Sequence, residues 1–390
     1  MQLRDTAFFL ALAATFALSS PALAGPEEDQ AHERAITWLA AQQNGNGSFG
    51  RIPRMKEEGE LGITGLVVKA LAGAPETQRK KHFAVAKRAA AWMLEHQQQD
   101  GSFTQPRSGM ATYRTSIAIV ALAALDKVAY KEAIARAAAF LTSAQWSEAR
   151  GVKEGDPAYG GFGYGGKRER PGGDLSNTAM ALAALKDAGL SPEDPVYKRA
   201  LVFLTRCQNS SETNPGVGKL KPKEDGGFIY SASPGRNKNG TTHADGTTSF
   251  ESYASMTYGG LMSLGSAGVS GEDDPRVKAA LSWISEHYTL EENYGLGTRS
   301  KDPKAGQEGL YYYYYVFARC MGARGQATVS TKDGPRLWAR DLFAAFKERQ
   351  HQAGYFVNPV ERWWEGDKTL VTAFVVTAMN EALPHLRRGK

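Results

Sequence analysis

Six stretches of the chain share one alternation of two helix types. In the first type the apolar residues form a stripe, as Ala35, Trp38 and Leu39 do at spacing i, i+3, i+4, which is the pattern of a helix with one buried face. The second type is apolar nearly all round, as in 117–122. Such a helix is expected to be buried on every side. The alternation therefore predicts six helix hairpins, each with an outer and an inner helix.

The connections inside these hairpins repeat as well. A glutamine near the end of the first helix precedes a glycine and an aromatic residue, and the aromatic positions are Phe49, Phe103, Phe162, Phe228, Tyr294 and Phe356. The fifth hairpin departs most, because it lacks both the glutamine and the phenylalanine. Repeated hairpins bury a continuous core by stacking on their neighbours. We expect an all-α fold, an α/α toroid in which six inner helices surround a central space; an open solenoid is the alternative.

The toroid is expected to occupy residues 25–390 as one domain. Its longest connection, 209–250, is polar and glycine-rich. A loop of this length inside a compact domain is usually functional or mobile. It precedes the fourth inner helix, so we expect it at the rim where the inner helices begin.

The first residues have the pattern of an export signal. Arg4 precedes an apolar run from 7 to 18, and the segment ends in small residues at 22–24, as signal peptides do. The run is shorter than the roughly 20 residues that span a bilayer, although a membrane anchor is the alternative. We expect residues 1–24 to be a signal peptide and the protein to be periplasmic or extracellular.

Charge and cysteine content exclude some classes of function. The net charge is +6, but the basic residues are dispersed or mixed with acids, which argues against a nucleic-acid platform. The only cysteines, Cys207 and Cys320, fall at the end of an outer and of an inner helix respectively. Those ends lie on opposite rims, beyond the reach of a disulfide. We expect two buried thiols.

The glutamine-containing loops resemble the repeat motifs of the terpenoid-cyclase and protein-prenyltransferase superfamily. The stretches 42–50 and 97–103 are similar to that family's Gln-Trp-type repeats, and the resemblance covers 29–386. These motifs are structural, so the resemblance implies the toroid more than any reaction. It also implies an isoprenoid-like ligand in the central cavity.

One catalytic motif of the family is present in altered form. Squalene-type cyclases protonate an alkene from Asp-x-Asp-Asp-Thr-Ala, and the corresponding stretch is 174–179, Asp-Leu-Ser-Asn-Thr-Ala. The middle acid is Ser176 and the last is Asn177, and a serine hydroxyl is far too weak an acid for this step. Asp174 remains a candidate catalytic acid. The alternative is that Asp174 only caps a helix.

The zinc site of the prenyltransferases is expected to be absent. The resemblance places its Asp-x-Cys at 308–310 and its histidine at 370, where this chain has Leu310 and Leu370. Leucine cannot bind zinc. We predict no metal and no cofactor; His243 and Asp245 are possible ligands, but a solvated loop is the simpler explanation for them.

A carbohydrate-active enzyme is also compatible with this fold. Glycoside hydrolysis needs two carboxylates that flank the scissile bond. Acidic residues fall near the starts of the inner helices at Asp174, Glu251, Glu308, Glu365 and Asp367. The sequence does not show which of them pair.

Aromatic residues near the fifth and sixth inner helices are the candidate ligand-binding residues. Residues 311–315 are five consecutive tyrosines, and at helical spacing Tyr311, Tyr314 and Tyr315 share one face. We predict that this face lines the cavity with Trp363 and Trp364, and that Tyr312 and Tyr313 pack between the layers. Aromatic walls suit an apolar guest. Three functions stay open: an isoprenoid-binding or scaffolding protein, a terpenoid-type enzyme using an acid such as Asp174, and a glycan-active enzyme.

Overall fold

A computed structural model describes residues 26–51, 58–106, 109–165, 170–238, 240–298 and 300–388. The predicted signal peptide lies outside these residues. The helices are α1 (Pro26–Ala40), α2 (Leu61–Ala72), α3 (Glu76–Leu94), α4 (Ala111–Asp126), α5 (Lys131–Ala144), α6 (Leu175–Ala188), α7 (Pro195–Arg206), α8 (Ala254–Ser266), α9 (Pro275–His287), α10 (Leu310–Arg324), α11 (Trp338–Arg349) and α12 (Lys368–Arg388). Odd-numbered helices are the predicted outer helices, and even-numbered helices are the inner ones.

The inner helices form a closed ring. Each packs against the inner helix before and after it, and α12 packs against α2. Side chains close the seam, since the Asn380 amide donates to the Ala70 carbonyl at 2.8 Å and lies 2.8 Å from the His32 ring. The protein is therefore an α/α toroid, as predicted, and the open-solenoid alternative is wrong.

Burial follows the predicted helix types. Nearly every residue of α2 and every residue from 114 to 122 of α4 is buried, whereas on α3 burial is confined to one side, with Ala89, Trp92 and Met93 inward. The inner helices thus form the common wall of one hydrophobic core that runs through all six hairpins. Among the described residues, no helix is both long enough and apolar enough to cross a bilayer.

The repeated glutamine connects neighbouring hairpins. Gln145 follows α5 and donates from Nε2 to the carbonyls of Gly160, in its own loop, and Val196, on the next outer helix, both at 2.9 Å. We call this arrangement a glutamine joint. Four other glutamines form it with the equivalent pairs of carbonyls: Gln43, Gln97, Gln208 and Gln350.

The glycine of each joint is required by a close approach. Gly160 has a φ of +81°, and a Cβ there would lie 1.8 Å from the carbonyl oxygen of Arg199 on the next outer helix. The following aromatic residue is also fixed, because the Phe162 amide donates to the Thr178 hydroxyl of α6 at 3.1 Å. The Gly-aromatic pattern therefore follows from the way the loop packs between two helices.

The long connection 209–250 is folded against the ring. It contains a short antiparallel pair, β1 (Thr241–Thr242) and β2 (Thr248–Ser249), and a second pair, β3 (Val329–Thr331) and β4 (Gly334–Arg336), follows α10. The Asn209 amide donates to the Phe250 carbonyl at 2.9 Å, which ties the two ends of the connection together. Cys207 and Cys320 are free thiols, and both are buried.

Candidate functional site

A central cavity of about 600 Å³ lies at the rim where the inner helices begin. Its apolar wall comes mainly from α2 and α12, which contribute Ile63, Leu66, Leu370 and Phe374, and Met256 of α8 adds to it. Concave, largely apolar spaces of this size are typical of small-molecule sites. The prediction of a ligand-sized space inside the ring is therefore met in its geometry.

Five tyrosines line the same cavity. We call Tyr113, Tyr164, Tyr230, Tyr253 and Tyr312 the tyrosine belt. They come from α4, from the loops of the third and fourth hairpins, from the residue that precedes α8, and from α10. Only Tyr312 belongs to the tyrosine run in the sequence, so the other four were missed: each is a single aromatic residue at the start of an inner helix or in the loop before it.

The predicted cavity face of α10 is wrong. Tyr311 and Tyr314 are buried between the layers, and the Tyr314 hydroxyl donates to the Leu290 carbonyl at 2.6 Å. Tyr312, which we expected between the layers, lines the cavity instead. Tyr315 is on the same side as Tyr312 but deeper, where Arg319 donates to its hydroxyl at 2.9 Å. Because all faces of α10 are buried, its apolar pattern could not show which face points to the central cavity.

Trp363 and Trp364 lie at the cavity mouth, as predicted. Both are about half exposed, at 49% and 45%, and both have positive φ values, 54° and 69°. Non-glycine residues rarely adopt this conformation, and such outliers concentrate at ligand clamps and active sites. Their binding role remains a prediction.

Asp174 caps α6 and is completely buried. Its carboxylate accepts from the Asn177 amide nitrogen at 2.8 Å and from the Asn177 side chain at 2.9 and 3.1 Å. Burial raises the pKa of Asp174 to about 6, against the lowering effect of the Asn177 and Arg236 interactions. The capping role considered from the sequence is confirmed; a catalytic role stays a prediction.

Ser176, not Asp174, faces the cavity from this motif. Its hydroxyl lies 2.7 Å from the hydroxyl of Tyr312, and both side chains line the space. The position at which the cyclase motif has its middle acid is thus occupied by a serine–tyrosine pair. Neither hydroxyl is acidic enough to protonate an alkene.

Carboxylates that line the cavity are paired with basic side chains. Glu60 of the α2 cap binds Arg114 at 2.6 Å, and both are almost fully buried. Glu251 binds Lys223 at 2.6 Å. At the mouth, Glu308 lies 3.5 Å from Lys238 and 3.2 Å from Arg362, and both of these cations also flank the Trp363 ring.

Comparisons with known proteins agree with this architecture. A family description of the squalene-hopene cyclase C-terminal domain matches residues 54–217. The type II terpene cyclase MstE from Scytonema has the same fold at 15% identity and a TM-score of 0.56, over 92% of this chain and 99% of that one. This chain is a terpenoid-cyclase-like α/α toroid. No curated protein matches it in sequence.

Other structures show how widely this toroid is used. MstE in complex with geranylgeranyl dihydroxybenzoate matches at 14% identity with a TM-score of 0.53, over 92% and 98% of the two chains. The GH76A α-1,6-mannanase from Salegentibacter matches at 14% identity with a TM-score of 0.54, over 92% and 99%. At these identities the likeness concerns the fold alone.

Two further acidic candidates of this cyclase-like toroid, Glu365 and Asp367, accept hydrogen bonds from backbone amides at helix starts. Glu365 is buried and accepts from the backbone amide of Tyr312 at 2.7 Å, so it caps α10 from the next loop. Burial raises the pKa of Glu365 to about 7. Asp367 accepts from the Leu370 amide at 2.9 Å at the start of α12.

The metal candidates are also separated from the cavity. His243 and Asp245 lie in the turn between β1 and β2, where Asp245 accepts from Thr247 and the His243 ring lies 2.9 Å from the Ser249 hydroxyl. Leu370 lines the cavity, and Leu310 is buried in the first turn of α10. In the part of the chain that the structure describes, no three histidine, cysteine or acidic side chains form a possible metal site.

Proposed function

We propose that this protein binds an elongated, hydrocarbon-bearing ligand of the isoprenoid type in its central cavity. The observation that carries the proposal is the wall of the cavity. Aliphatic and aromatic side chains from α2, α8 and α12 surround a space of about 600 Å³ that opens at one rim. Removing hydrocarbon from water into such a space is favourable in proportion to the apolar area buried.

The likeness to a terpene cyclase supports this ligand class. Structures of MstE contain geranylgeranyl dihydroxybenzoate or merosterolic acid A, and the fold that holds them is the fold of this chain. The cavity described here occupies the centre of the same toroid. We therefore take a geranylgeranyl chain as the first probe.

We further propose that the protein binds this ligand and does not cyclise it by the protonation step that squalene-type cyclases use. Ser176 and Tyr312 occupy the cavity wall where that acid is needed, at 2.7 Å from each other. Asp174 supplies the carboxyl group of the 174–179 motif, but it is fully buried and both of its oxygens accept hydrogen bonds from Asn177. Catalysis through Asp174 is the competing hypothesis.

The binding test compares an isoprenoid with a sugar. Geranylgeraniol and α-1,6-mannotriose are titrated into the purified protein by calorimetry. A variant with a filled cavity, Met256→Trp, is expected to bind geranylgeraniol at least tenfold more weakly. Val128→Trp adds the same indole at a residue that is 85% exposed, and should bind like the wild type.

Two results would reject the binding proposal. One is saturable binding of mannotriose without any response to geranylgeraniol, which would favour the glycan-active alternative. The other is unchanged geranylgeraniol binding in a folded Met256→Trp protein. Leu370→Trp provides a second filled-cavity variant should Met256→Trp fail to fold.

A separate test addresses catalysis. The protein is incubated with geranylgeranyl dihydroxybenzoate and the mixture is analysed by mass spectrometry and chromatography for isomeric cyclic products. We expect none. Product formation that disappears in Asp174→Asn, a variant that keeps the cap, would establish Asp174 as the acid and overturn the binding-only proposal.

We also propose that the protein acts outside the cytoplasm. The support is the signal-like segment 1–24. Sequencing the amino terminus of the protein expressed from its full gene in a bacterial host is expected to find a chain that begins near residue 25, in the periplasm or medium. Intact full-length protein in the cytoplasm would contradict this proposal.

A further inference from the structure

We propose that the cavity ligand carries a neutral oxygen-bearing group, a hydroxyl or carbonyl, which the hydroxyls of Tyr113 and Tyr253 bind at the level where the inner helices begin. This inference rests on the proposed function and names the ligand class more closely. It distinguishes an oxygenated isoprenoid from a pure hydrocarbon and from a charged amphiphile.

The cavity has two chemically different sides. First turns of four successive inner helices, or the residue just before them, place hydroxyls on the cavity: Tyr113 at α4, Ser176 at α6, Tyr253 at α8 and Tyr312 at α10. The neighbouring helices α12 and α2 complete the ring with aliphatic and phenyl groups. On the α12–α2 side the Glu60 carboxylate also lines the cavity but is already paired with Arg114, so the uncharged hydroxyls lie on the other side of the ligand.

These hydroxyls differ in whether they already have hydrogen-bond partners. Ser176 and Tyr312 are 2.7 Å apart and satisfy each other. The hydroxyls of Tyr113 and Tyr253 have no hydrogen-bond partner among the described residues, although both side chains are mostly buried. Outside the cavity, by contrast, the hydroxyls of Tyr313 and Tyr314 donate to backbone carbonyls at 2.7 and 2.6 Å.

A ligand that fills the cavity removes the solvent that can hydrogen-bond to the tyrosine hydroxyls. Buried tyrosine hydroxyls normally find a partner. A hydrocarbon that displaced solvent from Tyr113 and Tyr253 would leave both hydroxyls unpaired, whereas a ligand oxygen within reach of either hydroxyl would restore a hydrogen bond. Burial raises the pKa of both groups, so they are hydrogen-bond donors throughout the physiological pH range.

The charged side chains around the cavity disfavour a charged ligand group. The carboxylates that line the cavity are matched by bases of the protein: Glu60 by Arg114, Glu251 by Lys223, and Glu308 by Lys238 and Arg362. An ammonium would have to displace one of these bases, and an anion would have to compete with Glu308 or Asp174 for the cavity-lining cations Lys238, Arg362 and Arg236. A neutral oxygen needs only the tyrosine hydroxyls.

The test uses ligands of one chain length and different end groups. The wild-type protein is titrated with a geranylgeranyl hydrocarbon, geranylgeraniol, the corresponding carboxylic acid and the corresponding amine. We expect the alcohol to bind about tenfold more tightly than the hydrocarbon, because one restored hydrogen bond to a buried group is worth about that factor. The acid and the amine are expected to bind more weakly than the alcohol.

Variants then locate the effect. Tyr113→Phe and Tyr253→Phe keep the ring and remove the hydroxyl, so each should reduce the preference for alcohol over hydrocarbon several-fold without weakening the hydrocarbon. Tyr130→Phe, outside the cavity, is the control and should keep the wild-type preference. A thermal melt of each variant confirms that it is folded.

The outcomes separate this inference from the proposed function. Equal binding of hydrocarbon and alcohol, a preference for the acid or amine, or an unchanged preference in the folded Tyr113→Phe/Tyr253→Phe double variant would overturn the inference and leave isoprenoid binding intact. Failure of every member of the series to bind would overturn the proposed function and the inference together.

Discussion

Neighbouring hairpins of the ring are connected by two different kinds of joint. In five places a glutamine donates to two backbone carbonyls, as Gln145 does. Between the fifth and sixth hairpins the residue after the outer helix is Tyr288, and its hydroxyl donates to the Asp341 carboxylate of α11 at 3.0 Å. Arg336 of β4 holds the same carboxylate through two hydrogen bonds, at 2.8 and 2.9 Å.

The difference shows that the geometry of the ring does not require one particular side chain. A glutamine amide satisfies two carbonyls and its oxygen can accept from an arginine, as Gln145 does from Arg199 at 2.7 Å. At the Tyr288 joint the linking side chain also donates, but its acceptor is a side-chain carboxylate of the next outer helix and not a backbone carbonyl. The weak fifth repeat of the sequence is therefore a structurally complete joint with different chemistry.

The largest expected effect comes from removing the best-buried glutamine. Gln145 is fully buried, and Gln145→Ala would remove the Nε2 donor from both the Gly160 and the Val196 carbonyl. We expect a loss of about 3 kcal/mol in the free energy of unfolding, measured by urea denaturation. Gln43→Ala, at a half-buried joint where water can replace the amide, should cost about 1 kcal/mol. Equal losses would contradict the importance of burial.

The second prediction uses the fact that glutamine joints carry no charge. Pronounced pH dependence of stability should then come from buried carboxyl groups, and burial raises the pKa of Asp174 to about 6 and that of Glu365 to about 7. Both bind protons more readily in the folded than in the unfolded chain, so stability should fall as the pH rises through this range, by up to about 1.4 kcal/mol per pH unit for each group.

Glu365→Gln is the variant that checks this assignment. Its side-chain oxygen can still accept from the α10 amides, so the fold should persist, and the slope of unfolding free energy against pH should become shallower between about pH 5 and 7. Asp245→Asn, in an exposed turn, is the control. An unchanged slope in Glu365→Gln would show that this carboxyl group is not the source.

The third prediction addresses the tyrosine joint directly. Tyr288→Phe removes one hydrogen bond, while Asp341 keeps its two bonds to Arg336. We expect a loss of about 1 kcal/mol in urea denaturation, clearly less than for Gln145→Ala. A loss as large as that of Gln145→Ala would show that the single hydroxyl matters as much as a complete glutamine joint.

The smallest expected effect is a gain. The side-chain oxygen of Gln208 is buried without a hydrogen-bond partner among the described residues. The position that supplies Arg199 to Gln145 is occupied here by Ala279, as the close approach of Gly226 to Ala279 shows. Ala279→Arg should supply the missing donor and raise stability by about 0.5 kcal/mol. A lower melting temperature would indicate that the arginine does not reach Gln208.

Local patterning was enough to predict much of this protein. Stripes such as Ala35, Trp38 and Leu39 identify the outer helices, because a period of 3.6 residues requires only neighbours along the chain. The Gly-aromatic loops and the Asp174 cap are local in the same way. The residues Ser176 and Leu370 could likewise be identified from their positions in the sequence motifs, where the resemblance predicted an altered cyclase motif and no zinc ligand.

The arrangement of side chains in the cavity depends on contacts between segments that are distant in the sequence. A helix that is apolar on all sides, such as α10, carries no sequence signal for the face that points to the axis, so Tyr312 lines the cavity where Tyr311 and Tyr314 were predicted. The tyrosine belt joins residues from five separate segments, and Glu365 caps a helix that begins 55 residues earlier, at Leu310. Sequence determined the helices and their repeat; only closure of the ring determined which side chains meet inside it, because that depends on how each buried helix is rotated against its neighbours.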